Sequence, residues 1–212
     1  METLEQIRSR IESAVPGAPV EIIPNDSPAG QRSLLLDHEH ATATAHFLRD
    51  DPLLRFDYAS NVTGIDWLDL VIKDKVRTRI LVDGVEREVE ETVERKRLGY
   101  LEVVYHLFSM HLKHGPLVIR LRTEGRTGHP RLPSFTPIWR SAEFQEREIY
   151  DLYGVIFDGH PDLRRILLWE GFEDHPMRKD YVEPDDYEWE PTPHDEVLER
   201  AKRHWPEEGG EP

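Results

Sequence analysis

The spacing of apolar residues near the start of the chain predicts two amphipathic helices. Residues 3–15 carry apolar positions three and four apart, and Thr3 and Gln6 have the spacing of a capping box. A second helix is predicted over residues 37–49, with Asp37 as its N-cap.

Alternating and short apolar runs predict the strands of a sheet. The clearest pair covers residues 100–109 and 117–122, in which every second residue is apolar. The His-Gly-Pro sequence at 114–116 is predicted to form the turn between them, so we expect antiparallel neighbours. Shorter strands are predicted over residues 20–23, 33–36 and 54–58.

The densely charged region over residues 67–97 fits two structures. Asp83 and Gly84 between apolar residues are typical of a hairpin turn. Valines at positions 85, 89 and 93 are four residues apart, which suits a helix. We favour a solvated β-hairpin.

A third helix is predicted over residues 142–153, with Ser141 as its N-cap, Ile149 in its apolar stripe and Gly154 at its end. The Gly- and Pro-rich residues 125–137 before it predict a loop. This order of elements predicts an α+β fold: a mostly antiparallel sheet with helices packed on it, plus an extended C-terminal tail.

Charge defines the predicted tail and excludes one class of partner. Of the net charge of −15, positions 183–212 hold −8, from 11 acidic and 3 basic side chains, together with five prolines. We therefore predict one domain over residues 1–181 and an acidic, Pro-rich extended tail over 182–212. Nucleic acid is not expected as a partner, because binding phosphates requires a basic surface.

The absence of cysteine from the whole sequence excludes disulfides, zinc–thiolate sites and cysteine-ligated iron–sulfur clusters. The sequence has no apolar run near the ~20 residues that span a bilayer, and its N-terminal stretch lacks the apolar core of a signal peptide. We expect a cytoplasmic protein.

Polar clusters suggest chemistry only weakly. His38 and His40 lie two residues apart on a predicted helix, so they diverge and favour surface or capping roles over a metal site. Glu146, Glu148 and Asp151 could pair for acid–base catalysis, but they also fit a solvated helix face. No nucleophile or phosphate-binding loop accompanies them, so we expect neither independent catalysis nor a bound metal.

The stretch over residues 146–181 carries a family resemblance. It reads EREIYDLYGVIFDGHPDLRRILLWEGFEDHPMRKDY, with two His-Pro turns, and PSFTPIW precedes it at residues 133–139. This pattern strongly resembles the thirty-kilodalton (C-type) subunit family of respiratory complex I, the NADH:quinone oxidoreductase. Asp174 stands where the family usually has Gly. Residues 68–99 match no part of the pattern, and we interpret them as an insertion.

The resemblance implies a cofactor-free scaffolding subunit of the quinone-reducing module of this proton-translocating enzyme. Iron–sulfur clusters, FMN, NADH and quinone would then belong to partner subunits. The implied partners are the quinone-pocket subunit, of the forty-nine-kilodalton type, and neighbouring iron–sulfur subunits. The chain would be peripheral, on the cytoplasmic side of the cell (inner) membrane, and attached only through the complex. The docking candidates are Glu146, Arg147, Glu148, Tyr150, Asp151, His160, Arg164, Arg165, His175, Arg178, Lys179 and Asp180.

Two alternatives remain open at this point. The same pattern would serve the equivalent subunit of a related membrane-bound hydrogenase or of a ferredoxin- or F420-linked quinone oxidoreductase. The other alternative is a free-standing acidic enzyme, which the lack of a catalytic motif disfavours.

Overall fold

The computed structural model describes residues 2–82, 85–169 and 171–182. Contacts divide the chain into two units, Met1–Lys179 and Asp180–Pro212. Of the predicted tail over 182–212, all but residue 182 lies outside the described residues. The elements are α1 (Leu4–Ala14), β1 (Val20–Ile23), β2 (Ser33–Leu36), α2 (Ala41–Asp50), β3 (Tyr58–Trp67), β4 (Leu70–Val82), β5 (Val85–Arg97), β6 (Tyr100–Ser109), β7 (His114–Arg122), β8 (Arg131–Pro133), a 3-10 turn (Arg140–Ala142), α3 (Glu143–Tyr153) and β9 (Ile156–Asp158).

A five-stranded sheet in the order β1-β2-β7-β6-β3 forms the centre of the first unit. Its pairs are antiparallel except β2 with β7, which is parallel. Alternate residues of β6, such as Val103 and Tyr105, join one buried cluster with Ile7 of α1, Leu48 of α2 and Ile149 of α3. All three helices therefore contribute to the core on this face, which confirms the predicted α+β class.

The first helix and the strand pair β6–β7 were predicted correctly. Thr3 and Gln6 form both hydrogen bonds of the capping box at the start of α1. Strands β6 and β7 are antiparallel, with Tyr105 opposite Ile119. The chain reverses before His114, however, because His114 already pairs with Ser109 as the first residue of β7. The predicted turn at 114–116 therefore lies within the strand.

Two predicted boundaries were wrong for local reasons. Helix α2 begins at Ala41 because Asp37 accepts hydrogen bonds from the backbone N–H and the ring Nδ1 of His40, which form a turn ahead of the helix. The strand predicted over residues 54–58 begins only at Tyr58. The backbone of 54–56 instead turns back onto α2, so the alternation of Leu54 and Phe56 reflects two loop side chains buried in the core.

Strands β4 and β5 confirm the predicted hairpin. They pair antiparallel from Leu70↔Arg97 to Val82↔Val85, so the valines spaced by four lie on a strand and not on a helix. Strands β8 and β9 were missed: they form a three-residue parallel ladder, and β8 lies inside the predicted loop over residues 125–137. The described parts of the chain contain no candidate for a membrane-spanning helix.

Candidate docking surface

Helix α3 carries the beginning of the sequence signature and lies between β3 and the signature residues that follow the helix. The predicted N-cap is wrong: the Ser141 hydroxyl donates to the carbonyl of Ala59 at 2.8 Å, and a 3-10 turn leads into the helix at Glu143. Gly154 ends the helix as predicted, with φ of 75°. A side chain there would also collide with the ring of His175, so both the backbone angle and the contact require glycine.

Glu146 is fully buried, so the solvated-face interpretation of this residue was wrong. Its carboxylate accepts four hydrogen bonds, and these tie α3 to β6 and to the 133–137 loop. Burial raises the pKa of Glu146, and the hydrogen bonds offset only part of that rise. The donors are the hydroxyls of Tyr105 (3.0 Å), Ser134 (2.5 Å) and Thr136 (3.0 Å) and the backbone N–H of Phe135 (2.8 Å).

Asp151 is also fully buried, and it orders the segment after β9. Its Oδ2 accepts three consecutive backbone N–H groups, from Ile166 (3.0 Å), Leu167 (2.7 Å) and Leu168 (3.0 Å). Its Oδ1 accepts a hydrogen bond from Arg165 at 2.7 Å. Burial alone would raise the pKa of Asp151, but these donors together hold the pKa below its ordinary value of 3.8.

Arg147 is nearly buried on the same helix and binds the same segment through its backbone. Its guanidinium donates to the carbonyls of Arg164 (3.2 Å) and Arg165 (3.3 Å), and it lies 3.8 Å from the Asp162 carboxylate. Over residues 164–168, backbone carbonyls thus accept hydrogen bonds from Arg147, and backbone N–H groups donate to Asp151, so both kinds of backbone group are fixed. A turn-rich segment with few apolar contacts acquires a defined conformation in this way.

The first His-Pro turn is attached to the start of α3. The Asp162 N–H donates to Nδ1 of His160 at 3.0 Å, so the ring proton must lie on Nε2, which donates to the carbonyl of Glu143 at 3.1 Å. Arg164 pairs with Asp162 and is exposed.

The second His-Pro turn is attached to the end of α3. His175 Nδ1 donates to the carbonyl of Asp151 at 3.0 Å, and Arg178 Nε donates to the carbonyl of Tyr153 at 2.7 Å. Burial lowers the pKa of His175, with a smaller contribution from nearby arginines. Carbonyls that a helix end leaves without partners are therefore satisfied by this segment.

The final residues of the first unit reach the end of β3. The backbone N–H of Lys179 donates to Asp66 at 2.8 Å, and its ammonium lies 5.7 Å from the ring centre of Trp67. Asp66 is buried and also accepts two hydrogen bonds from Arg126. The two basic pairs of the signature are therefore divided: Arg165 and Arg178 bind inside the chain, whereas Arg164 and Lys179 are exposed.

The docking candidates differ in how far they reach solvent. Glu148, Arg164, Lys179 and Asp180 are exposed. Tyr150, His160, Arg165, His175 and Arg178 are half-buried, and Glu146, Arg147 and Asp151 are buried. The candidates are polar and charged residues of the family signature, and they leave out large exposed apolar residues on α3 and on the segment that follows β9. These residues, called the exposed apolar set below, are Phe144, Ile166, Leu167, Trp169 and Met177. For Ile166, Leu167 and Trp169 the signal in the sequence is an apolar run inside a turn-rich loop, without the period of a helix or strand.

Among the described residues, one group has ligand atoms close enough to hold a metal ion. Asp37, Glu39 and His40 each offer an atom within 4.8 Å of the others. The hydrogen bond that the His40 ring donates to Asp37 raises the pKa of His40, and the three residues form the turn before α2. His38 is not a member of the group.

The chain is similar in sequence to members of a known protein family. The family model described as respiratory-chain NADH dehydrogenase, 30 kDa subunit, matches residues 34–187. A Coxiella burnetii protein named as the C subunit of NADH-quinone oxidoreductase is 36% identical over 181 residues, which cover 84% of this chain and 74% of that protein. A protein of the same name from Roseiflexus castenholzii is 33% identical over 174 residues, which cover 82% of this chain and 81% of the relative.

A solved structure shares the fold. It is a chain of the membrane-bound sulfane sulfur reductase, an archaeal respiratory membrane complex, with a TM-score of 0.50 and 18% identity over 96% of this chain and 92% of that one. At this identity the likeness shows the fold alone. The family model and the sequence relatives each cover more than two thirds of the chain, and the family match includes the segment that wraps α3. The chain belongs to the family of the 30 kDa subunit of the respiratory-chain NADH dehydrogenase.

Proposed function

We propose that the chain is a cofactor-free scaffolding subunit of a proton-translocating NADH:quinone oxidoreductase. The observation that carries the proposal is the segment over residues 160–179, which buried charges of α3 hold in one conformation while it exposes apolar side chains. Such a segment contributes little to the core of its own domain. It is suited to dock on another subunit, because pre-ordered apolar anchors bind with a small entropic cost.

The exposed apolar set identifies the surface that makes this contact. Leu167 is 60% exposed although its backbone N–H is fixed by Asp151 at 2.7 Å. Trp169 is 43% exposed and stands edge-on to Phe172 at 4.8 Å, so its ring is held at the surface. The buried charged candidates position these anchors and do not themselves reach a partner.

The partners in this proposal are the quinone-pocket subunit, of the forty-nine-kilodalton type, and its iron–sulfur neighbours. Electrons would pass through those subunits, which would hold FMN, NADH, quinone and the clusters, and the catalytic role of this chain would be indirect. Residues 1–181 would form the docking domain, and the acidic tail over 182–212 would extend over a partner. Attachment to the cytoplasmic side of the inner membrane would occur through the complex.

Replacing Leu167 with lysine tests the proposal. Because the side chain is exposed, the free energy of unfolding of the isolated variant should lie within about 0.5 kcal/mol of the wild-type value. Loss of an apolar anchor of an interface costs about 1–3 kcal/mol, or roughly 5- to 150-fold in affinity. We expect depleted complex and a proportional loss of NADH:quinone activity. NADH oxidation with an artificial acceptor should decline less, because the flavin lies on another subunit in this proposal.

Leu53→Lys is the matched control, since Leu53 is 63% exposed on the loop after α2. An equal loss of complex in both variants would contradict the docking assignment. Complex that assembles fully while each copy is inactive would show that this surface takes part in chemistry. Purification with a nickel–iron subunit instead of a flavin- and NADH-binding subunit would favour the related hydrogenase-type complex. A stoichiometric chromophore or metal in the washed subunit would contradict the cofactor-free role.

A further inference from the structure

The β4–β5 hairpin forms a two-stranded sheet that is separate from the central sheet. Its strands pair antiparallel with each other from Leu70↔Arg97 to Val82↔Val85. Within the described part of the chain, no third strand joins the hairpin and no helix packs along it. A two-stranded hairpin of this kind is at best marginally stable in water. We therefore expect a hairpin of this length to need a second surface against which it packs.

The pairing register separates the residues of the hairpin into two faces of opposite character. On one face, here called the apolar face, eight of fourteen positions are aliphatic. The remaining six positions are one threonine and five charged residues. The aliphatic positions are Leu70, Ile72, Val76, Ile80, Val82, Val85, Val89 and Val93.

The opposite face, here called the charged face, suits water. Nine of its twelve positions are charged. Three of its six register pairs join opposite charges, at positions 73 and 94, 77 and 90, and 79 and 88. Lys73 and Glu94 form an ion pair at 3.0 Å. Cross-strand charge pairs of this kind stabilise a solvated ribbon face and need no partner.

The apolar face is open where its side chains are described. Leu70 is 47% exposed and Val93 is 46% exposed. A long hairpin with one aliphatic face and two free edges is an aggregation hazard unless it is covered. We propose that the apolar face docks on a neighbouring subunit of the same complex, on an apolar strip flanked by acidic residues. This inference rests on the proposed function, and it adds a second contact remote in sequence from the family signature.

The net charge of the apolar face favours a protein partner with acidic residues over a second copy of the chain or a lipid surface. Positions 87, 95 and 97 of the apolar face are arginine, against acids at 74 and 91, so the face has a net charge of +1 on a chain of −15. A second copy of the chain would bring a further −15 into contact, and self-repulsion opposes that. An anionic lipid surface requires a cluster of basic residues, whereas residues 70–97 carry eight basic and seven acidic residues.

The test compares the full-length chain with the native complex. Hairpin amides should exchange hydrogen at least about tenfold more slowly in the complex than in the free chain. A shortened subunit, in which Asn-Gly replaces residues 73–94 between the register partners Ile72 and Arg95, should fold normally. It should dissociate from the complex at least about tenfold more readily in high salt.

Paired substitutions separate the two faces. Val76→Lys with Val89→Lys alters the apolar face and should release the subunit as the shortening does. Arg77→Glu with Glu90→Arg exchanges a pair on the charged face and should leave the subunit bound. Equal exchange rates in the free and bound chain, together with full retention of the shortened subunit, would overturn the inference.

Three further outcomes also overturn it. Sedimentation of the free wild type as a dimer that the shortening abolishes would assign the face to a second copy. Binding of the free wild type to anionic vesicles through the hairpin would assign the face to lipid. If the wild-type chain is absent from the purified complex, the proposed function itself fails. If the complex contains the chain but the hairpin variants stay bound and the exchange rates do not change, the docking inference fails and the proposed function stands.

Discussion

Replacing Asp151 with asparagine removes the charge around which the segment after β9 is ordered. In the wild type, Oδ2 accepts the N–H groups of Ile166, Leu167 and Leu168, and Oδ1 accepts from Arg165. An asparagine carboxamide has one oxygen, and its NH2 group donates. Whichever way the carboxamide turns, it therefore places a donor against either the three amides or the guanidinium.

The expected loss follows from the burial of this pair. Removing one partner of a buried ion pair costs about 3–5 kcal/mol. Arg165 keeps 14% of its side chain exposed, and water can partly replace its lost partner, so we expect the lower end of that range. A loss of about 3 kcal/mol corresponds to a roughly 150-fold change in an opening equilibrium.

Hydrogen exchange measures this change at the three amides themselves. In Asp151→Asn at pH 7, the amides of Ile166, Leu167 and Leu168 should exchange roughly 150-fold faster than in the wild type, if exchange follows the opening equilibrium. Chemical denaturation should show whether the loss is confined to the segment or extends to the whole domain. Glu148→Gln, on the exposed face of the same helix, is the matched control. Its free energy of unfolding should stay within about 0.5 kcal/mol of the wild-type value.

The pH dependence has a defined sign. The pKa of Asp151 is lowered in the folded chain, so its contribution to stability is present above pH 3.8 and is lost as the pH falls through the folded-state pKa. The wild type and Asp151→Asn should therefore converge in strongly acidic solution. Wild-type exchange rates in Asp151→Asn at pH 7 would refute the reasoning, since the carboxylate would then not hold the segment.

Three further changes test other parts of the same framework. Because burial raises the pKa of Glu146, its charge should cost stability as the pH rises above 4.5, and Glu146→Gln should reduce that slope in denaturation curves measured from pH 4 to 7. Gly154→Ala should lower the melting temperature more than Gly128→Ala. Both positions have φ near 75°, but of the two only Gly154 would bring an added Cβ into collision with a side chain, the ring of His175. His175 should titrate below 6.5 by NMR, and the stability lost as the pH falls through its folded-state pKa should be absent from His175→Gln.

The sequence by itself determined the family, the fold class and the elements whose signals are local. The capping box of Thr3 and Gln6 forms within one turn of helix. Residues 101, 103, 105 and 107 of β6 join the core from one face of the sheet, and their spacing by two is a property of neighbouring residues. The signature over residues 146–181 was recognisable because it is a long and specific pattern, independent of how it folds.

Only the tertiary structure decided which charges of α3 are buried. Within one helix, Glu146 and Asp151 look like members of a solvated face. Their burial comes from chain that is distant in sequence: the 133–137 loop covers Glu146, and the backbone of residues 166–168 closes over Asp151. A carboxylate with three or four fixed donors can be buried, and one without them cannot. The donors are mostly backbone N–H groups and hydroxyls, whose positions depend on the fold and leave no mark in the order of side chains.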